Sequence, residues 1–382
     1  MTAIADDPVV VLLRDLVAID SVNPSLATGA RGEAAVARRI ARELETLGMR
    51  VELNDAAPDR PNVVGVLEGR APGRSLMFCG HTDTVGVSGM QQPFTPEIRD
   101  GRLYGRGAQD MKGGVAAMIG AVRQIVETGG LARGRVIVAA VVDEEHASIG
   151  AEALVSKWRA DAAVVTEPTG LDVAVAHKGF QWVTLETRGR AAHGSRPGDG
   201  RDAILRMGRV LARLESLDRR LQQGPSHPLL GTASLHASLV EGGHEWSSYP
   251  ARAALQYERR TLPGEPSDIA LVEAKAILSE LQSEDPEFEA DARLVFGRGA
   301  YEIDAASQLP TLLMDAANTA GCATSIAGMT FWADAAILAE AGIPSVLFGP
   351  GGAGLHSIEE YVNLQDVLRC RDALANLARV WC

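Results

Sequence analysis

The chain has 382 residues, 46% of them hydrophobic and 23% charged, the proportions of a globular protein long enough for two domains. Its formal net charge of −12 argues against nucleic acid and anionic membrane surfaces as partners, yet leaves a small anionic substrate open, because one local cation can bind it. Cys79, Cys322, Cys370 and Cys382 show neither metal-type spacing nor a disulfide framework, so reduced thiols in a cytoplasm are expected. The N-terminus lacks a basic leader pattern, and Val9-Val10-Val11-Leu12-Leu13 is too short to span a bilayer.

A helix is predicted over 8–18, broken by Asn23-Pro24-Ser25. A second, over 31–47, places Val36, Ile40, Leu44 and Leu47 on one stripe and ends at Gly48. Strands follow at Asn62 to Leu67 and Ser75 to Phe78. The latter runs into Cys79-Gly80-His81-Thr82-Asp83. Residues two apart on extended backbone project to one side, so an imidazole and a carboxylate leave a core strand together. Either both bind a metal, or the acid orients the ring, or this is an ordinary polar strand exit. Asp100-Gly101 suggests a small hairpin. The Gly-rich run to Gly114 has no G-K-[ST] and no G-x-G-x-x-G, so it is not a phosphate loop; its glycines let the backbone bend to aim Asp110. An apolar helix then runs to about Val126.

Arg135 to Val142 reads as a strand buried on both faces, ending in Asp143-Glu144-Glu145-His146. These acids either belong to a site or start a helix, where its dipole favours them. Ala162 to Val165 is another strand, followed by Glu167. Alternating strands and helices indicate an α/β layer, and ligands in such layers collect at the C-terminal strand ends. His81, Glu144, Glu145 and Glu167 occupy such ends.

The pattern changes after Lys178-Gly179. A half-exposed strand, a basic helix over 200–217, strands near 232–240 and 252–260, a helix over 267–283 and a strand near 288–295 give the order β-α-β-β-α-β. From about 297 the first style returns, with helices near 309–319 and 334–341. The strand Ile343 to Phe348 leads through a Gly-rich turn to His356, and a last helix starts near Leu364. The expected fold is therefore an α/β domain (1–177 and 296–382), with a twisted, mostly parallel sheet flanked by helices. It carries an inserted two-layer α+β, ferredoxin-like module (178–295).

His81/Asp83, Asp110, Glu144/Glu145, Glu167 and His356 form a nitrogen and oxygen donor set without sulfur, suited to zinc, cobalt or manganese. With GHTDTV (80–85), GRLYGRGAQDMKGG (101–114), DEE (143–145), EPT (167–169), AHKG (176–179), AAHGSRP (191–197), ERRTLPGE (258–265) and FGPGG…LHSIEEYV (348–362) in this order, the chain resembles the M20 metallopeptidases over nearly its whole length. That family includes acetylornithine deacetylase, succinyl-diaminopimelate desuccinylase, aminoacylase-1 and carboxypeptidase G2. The resemblance implies two divalent ions, zinc in the first place and cobalt or manganese as alternatives, bridged by Asp110. His81 and Glu167 would complete one site, Glu145 and His356 the other. Asp83 would orient His81, Glu144 would be general base and acid, and the Asp110–Met111 peptide would be cis. His193 would stabilise the oxyanion when a lid closes, often from the partner of a homodimer formed through the lid. Arg260 would bind a substrate carboxylate, the alternative being an ion pair with Glu258 or Glu265.

The sequence departs from the family pattern at Ser247, where an Asn is common, at Gly86 and at Ala333. His177 and His244 are candidates for the substrate pocket, while His146, His227 and His236 read as surface or satisfied residues. The expected activity is hydrolysis of a small N-acyl amino acid; the alternative is a metallocarboxypeptidase or dipeptidase acting on a dipeptide-like substrate. A non-catalytic binding protein on this fold is the remote alternative, against which Glu144 and the intact ligand set speak. No G-x-S-x-G elbow supports a serine hydrolase.

Overall fold

A computed structural model describes residues 2–382. The chain forms two compact units. One runs up to Val175 and includes Ile303–Ala327 and Ala333–Cys382; the other is Ala176–Glu302 with Gly328–Trp332.

The first unit opens with α1, Pro8–Val17, where the Asp7 carboxylate accepts the Val9 N–H and Pro8 occupies the first turn. α2, Ala34–Thr46, buries Val36, Ile40 and Leu44 along its stripe. Then follow β1 (Arg50–Ala57), β2 (Arg60–Glu68), β3 (Ser75–His81), the hairpin β4 (Glu97–Arg99) and β5 (Arg102–Tyr104), and α3 (Gly113–Glu127). β6 (Arg135–Val141), α4 (Ile149–Lys157), β7 (Ala162–Val165) and β8 (Val173–His177) come next, and through β8 the chain passes into the second unit.

The second unit contains β9 (Gly179–Arg188), α5 (Ala203–Gln223), β10 (Ser234–Gly242), β11 (Arg252–Thr261), α6 (Ile269–Glu284) and β12 (Glu289–Arg298). Its antiparallel sheet has the order β10-β11-β9-β12. Period-two alternation sends Val183 and Leu185 of β9 and Leu255 and Tyr257 of β11 to one face. There they pack with apolar residues of α5 and α6. β10 is an edge strand whose Leu239 and Val240 are each 64% exposed. Gly328 packs against Leu229 and Leu230.

The first unit is completed by α7 (Gln308–Thr319), α8 (Ala335–Glu340), β13 (Ser345–Leu347), β14 (Tyr361–Asn363) and α9 (Leu364–Trp381). Its main sheet runs β1-β2-β6-β3-β7-β13-β8. β3 lies between β6 and β7 and is parallel to both, and β13 is parallel to β7. β1 and β2 form an antiparallel margin. The central strands are buried almost throughout, as in parallel sheets covered on both faces. α9 buries Val367, Cys370, Leu374, Leu377 and Trp381. The fold is thus the expected α/β layer with an α+β module. Among the described residues no helix is long and apolar enough to cross a membrane.

Candidate metal centre

Parallel neighbours end along one edge. His81 is in register with Val141, and Cys79 with Val165. Residues leaving β3, β6 and β7 therefore meet: His81, then Glu144 and Glu145, then Glu167. Asp110 arrives from the loop before α3, across a cis Asp110–Met111 peptide, as expected. His356 arrives from the loop after β13.

His81 Nε2 lies 3.0 Å from Asp110 Oδ1, 3.9 Å from Glu144 Oε2 and 4.0 Å from Glu167 Oε1. His356 Nε2 lies 3.0 Å from Glu145 Oε2 and 3.4 Å from Asp110 Oδ2. Asp110 thus turns one oxygen to each imidazole. Donor atoms of His81, Asp110 and Glu145 fall within 4.8 Å of one another, as do those of His81, Glu144 and Glu167.

Four carboxylates here face two imidazoles. Burial pushes the Glu144 and Glu167 carboxyls well above their usual range; His81 pulls them down and the neighbouring acids push them up. Burial and the Asp110 charge lift Glu145 to about 7. Burial also acts upward on Asp110, but hydrogen bonds from His356 and His81 win and hold it below the ordinary value. Hydrogen bonds to Asp110 and Glu145 raise His356 to about 10. Glu167 Oε1 is buried without a hydrogen-bond partner. Crowded, buried carboxylate of this kind is costly unless cations compensate it. The donor set of imidazole and carboxylate fits divalent zinc, cobalt or manganese.

The carboxylate of Asp83 does more than the sequence suggested. His81 Nδ1 meets the Asp83 backbone carbonyl at 3.0 Å and the carboxylate only at 3.6 Å. The carboxylate accepts the N–H groups of Glu144 and Glu145, both at 3.2 Å. Those acids lie in a turn, and α4 begins only at Ile149, so they are not a helix's first turn.

Two further residues support the centre. Glu360 is buried; its Oε1 accepts the N–H groups of Gln109 (2.8 Å) and Asp110 (3.1 Å). Its Oε2 accepts from Gly107 N (2.9 Å) and Arg106 Nη1 (2.8 Å). Its only trace in the sequence is the acid pair after His356. Lys112 Nζ donates to the carbonyls of Leu16 and Ile19, satisfying the end of α1. Gly107, at φ +79, comes so close to the strand exit that a Cβ would lie 2.7 Å from Thr84 Cγ2.

The remaining predicted residues lie in the second unit. His193 is exposed, with Nδ1 2.8 Å from Ser195 Oγ. Ser247 is exposed, and its carbonyl accepts the Gly194 N–H at 2.7 Å. Arg260 pairs with Glu258 at 2.7 Å and lies over the Phe180 ring at 5.6 Å. Glu265 instead pairs with the buried Arg259, which also takes Glu273. His177 is fully buried; Nδ1 donates to the Lys178 carbonyl at 3.0 Å and Nε2 has no hydrogen bond.

A buried imidazole, a second and exposed one, and four largely buried carboxylates at the strand ends of a mostly parallel sheet form a site suited to divalent cations, as in metal-dependent hydrolases. The sequence profile of peptidase family M20/M25/M40 matches residues 77–380, and the chain belongs to that family. It is 31% identical to an acetylornithine deacetylase of Myxococcus xanthus, over 97% of this chain and 96% of the relative. It is 27% identical to an N-formyl-4-amino-5-aminomethyl-2-methylpyrimidine deformylase of Bacillus subtilis, over 92% and 90% of the two chains. The fold is similar to that of a Bacillus subtilis protein described as a dinuclear metal binding peptidase from the M20 family. That match has a TM-score of 0.75 at 17% identity, covering 100% of this chain and 99% of the other.

Proposed function

We propose that this M20 hydrolase cleaves the amide bond of a small N-acyl amino acid, with Glu144 as general base and acid. The observation that carries the reading is the division between two adjacent acids. Glu145 is held by His356 at 3.0 Å, whereas Glu144 has His81 at 3.9 Å. Asp110 would bridge two divalent cations, zinc in the first place, with His81 and Glu167 on one side and Glu145 and His356 on the other. When bound, such cations acidify a water and polarise a carbonyl. Glu144 takes the proton of the attacking water and delivers it to the leaving amine nitrogen. Asp83 holds the backbone of both acids through its carboxylate and the His81 ring through its carbonyl. His193 would donate to the developing oxyanion once the lid closes, from this chain or from the partner of a dimer. Arg260 would receive a substrate carboxylate in exchange for Glu258, and Ser247 would add a polar contact to the substrate. His177, fully buried, is a packing residue rather than the pocket residue expected from the sequence.

In this reading the first unit, expected from the sequence at 1–177 and 296–382, is the catalytic domain. The second, expected at 178–295 and forming a compact unit of Ala176–Glu302 with Gly328–Trp332, is the lid and dimerisation module. The edge strand β10, with Leu239 and Val240 exposed, supports pairing with a second copy. The free thiols of Cys79, Cys322, Cys370 and Cys382 support a cytoplasmic location.

Peptidase action on a dipeptide-like substrate is the second reading, favoured by the dinuclear peptidase among the fold's relatives. A panel of N-acetyl, N-succinyl and N-formyl amino acids and dipeptides, with added zinc or cobalt, separates the two by product. One product is a free acyl acid in the first case; both are amino acids in the second. Glu144→Gln is expected to keep bound metal and lose turnover by roughly 10²- to 10⁴-fold. Wild-type turnover in that variant overturns the assignment of the base.

A further inference from the structure

Asn23 reads in the sequence as part of a helix breaker. In the structure it is fully buried, and its side chain joins two acids distant in the chain. Nδ2 donates to Asp83 Oδ2 at 2.8 Å and to Asp143 Oδ1 at 3.0 Å. Oδ1 accepts the Ser25 N–H at 2.9 Å. The backbone is fixed as well: Asn23 N–H donates to the Thr84 carbonyl at 2.9 Å, and Thr84 N–H to the Ser21 carbonyl at 3.1 Å.

Those two acids grip the turn that carries Glu144 and Glu145. Asp83 accepts the N–H groups of both. Asp143 opens the turn at φ +71, and its Oδ2 accepts the Ala147 N–H at 3.2 Å. Its carbonyl accepts the Ser148 N–H at 2.6 Å. Arg60 holds Asp143 Oδ1 at 2.7 Å and forks onto Glu33. Two buried carboxylates, Glu33 and Asp143, thus share the Arg60 guanidinium, and Asn23 is the neutral donor that links Asp143 to a third, Asp83. An asparagine has two diverging donors on a short stem; a serine has one, and an ionised aspartate none.

We propose that Asn23 is a positioning residue for hydrolysis. By tying Asp83 to Asp143 it fixes the backbone at 144 and 145, and so directs Glu145 toward His356 and Glu144 toward His81. The inference rests on the proposed roles of those two acids.

The test uses the full chain with Asn23→Ala and Asn23→Ser. Amide hydrogen exchange is followed over residues 143–148 in the metal-free protein. In the zinc- or cobalt-loaded protein, kcat, KM and metal content are measured on the best substrate of the panel. In Asn23→Ala, exchange over 143–148 is expected to accelerate while β3 and β6 keep their protection. The kcat falls by roughly 10- to 100-fold with KM little changed and the metal content retained. Asn23→Ser, which keeps one donor, shows the same pattern more weakly and stands in if the alanine variant does not fold. Unchanged exchange over 143–148, acceleration spread evenly over the chain, or wild-type kcat in a folded variant overturns the proposal. Glu144→Gln, measured alongside, keeps the two readings apart. If it turns over normally the base assignment has failed, and the exchange measurement, which needs no turnover, still decides the role of Asn23.

Discussion

Glu360 Oε1 accepts the backbone N–H of Asp110 at 3.1 Å, so an acid four residues beyond one imidazole fixes the carboxylate that faces both. Glu360 also takes Arg106 and two other backbone N–H groups, all out of water. Truncation leaves the buried Arg106 guanidinium without its carboxylate, held only by the Ser357 carbonyl, and three backbone N–H groups without this acceptor. Glu360→Ala is therefore expected to cost about 3–5 kcal/mol in urea unfolding, the scale of a broken buried ion pair. It should also weaken metal binding. An unchanged midpoint would show that water replaces the carboxylate without penalty.

The adjacent arginines of β11 should separate cleanly. Arg259 is 1% exposed and paired with Glu265 and Glu273, so Arg259→Ala should lose about 3–5 kcal/mol of stability. Arg260 is partly exposed and paired with Glu258, so its removal should cost at most about 1 kcal/mol. For a substrate bearing a carboxylate, however, Arg260→Ala should lower kcat/KM roughly 10- to 100-fold, the value of a lost charged hydrogen bond. A substrate without the carboxylate should not feel the change. Equal losses on both substrates would remove Arg260 from recognition.

His177 gives a pH dependence of defined sign. Burial pushes its pKa from 6.5 down to about 4. Between those values the unfolded chain binds the extra proton, so the His177 contribution is intact above about pH 6.5 and is lost as pH falls toward 4. The difference of about 2.5 pH units corresponds to roughly 3 kcal/mol. His177→Phe should show a shallower decline than the parent over that window in urea titrations. Parallel stability curves for the two proteins would contradict this.

Metal removal should act on stability as well as turnover. Relief of crowded carboxylate by cations stabilises only the folded chain, by about 2.7 kcal/mol at one hundred times the dissociation constant. Chelation should therefore lower the melting temperature and abolish activity, with zinc or cobalt restoring both. Identical melting curves with and without chelator would deny the cluster its role.

Much of the centre was legible because it hangs on local patterns. The apolar runs of β3, β6 and β7 each end in an acid or an imidazole, and parallel neighbours bring such ends together. β1 was missed because Arg50–Ala57 is a polar, half-exposed margin strand without a clear alternation. Asn23 and Glu360 were missed for a different reason. Their partners lie 60 to 120 and 250 to 254 residues away, and such hydrogen bonds leave no periodicity to read. The division between Arg259 and Arg260, with Glu265 going to Arg259, was missed as well, although strand alternation carries it. Strand alternation places Arg259 on the face of Leu255 and Tyr257, and Arg260 on the other.

The order of synthesis gives the split first unit a further meaning. β9 to β12 are contiguous in the chain, so their sheet has every strand it needs while the ribosome is still working. His81 emerges early and waits for His356, and β3 waits for β13 and α9 before its layer is complete. A nascent or prematurely released polypeptide can thus carry a finished module but not a finished cluster. With His356 in the proposed ligand set, fragments ending before it are expected to be silent rather than weakly active.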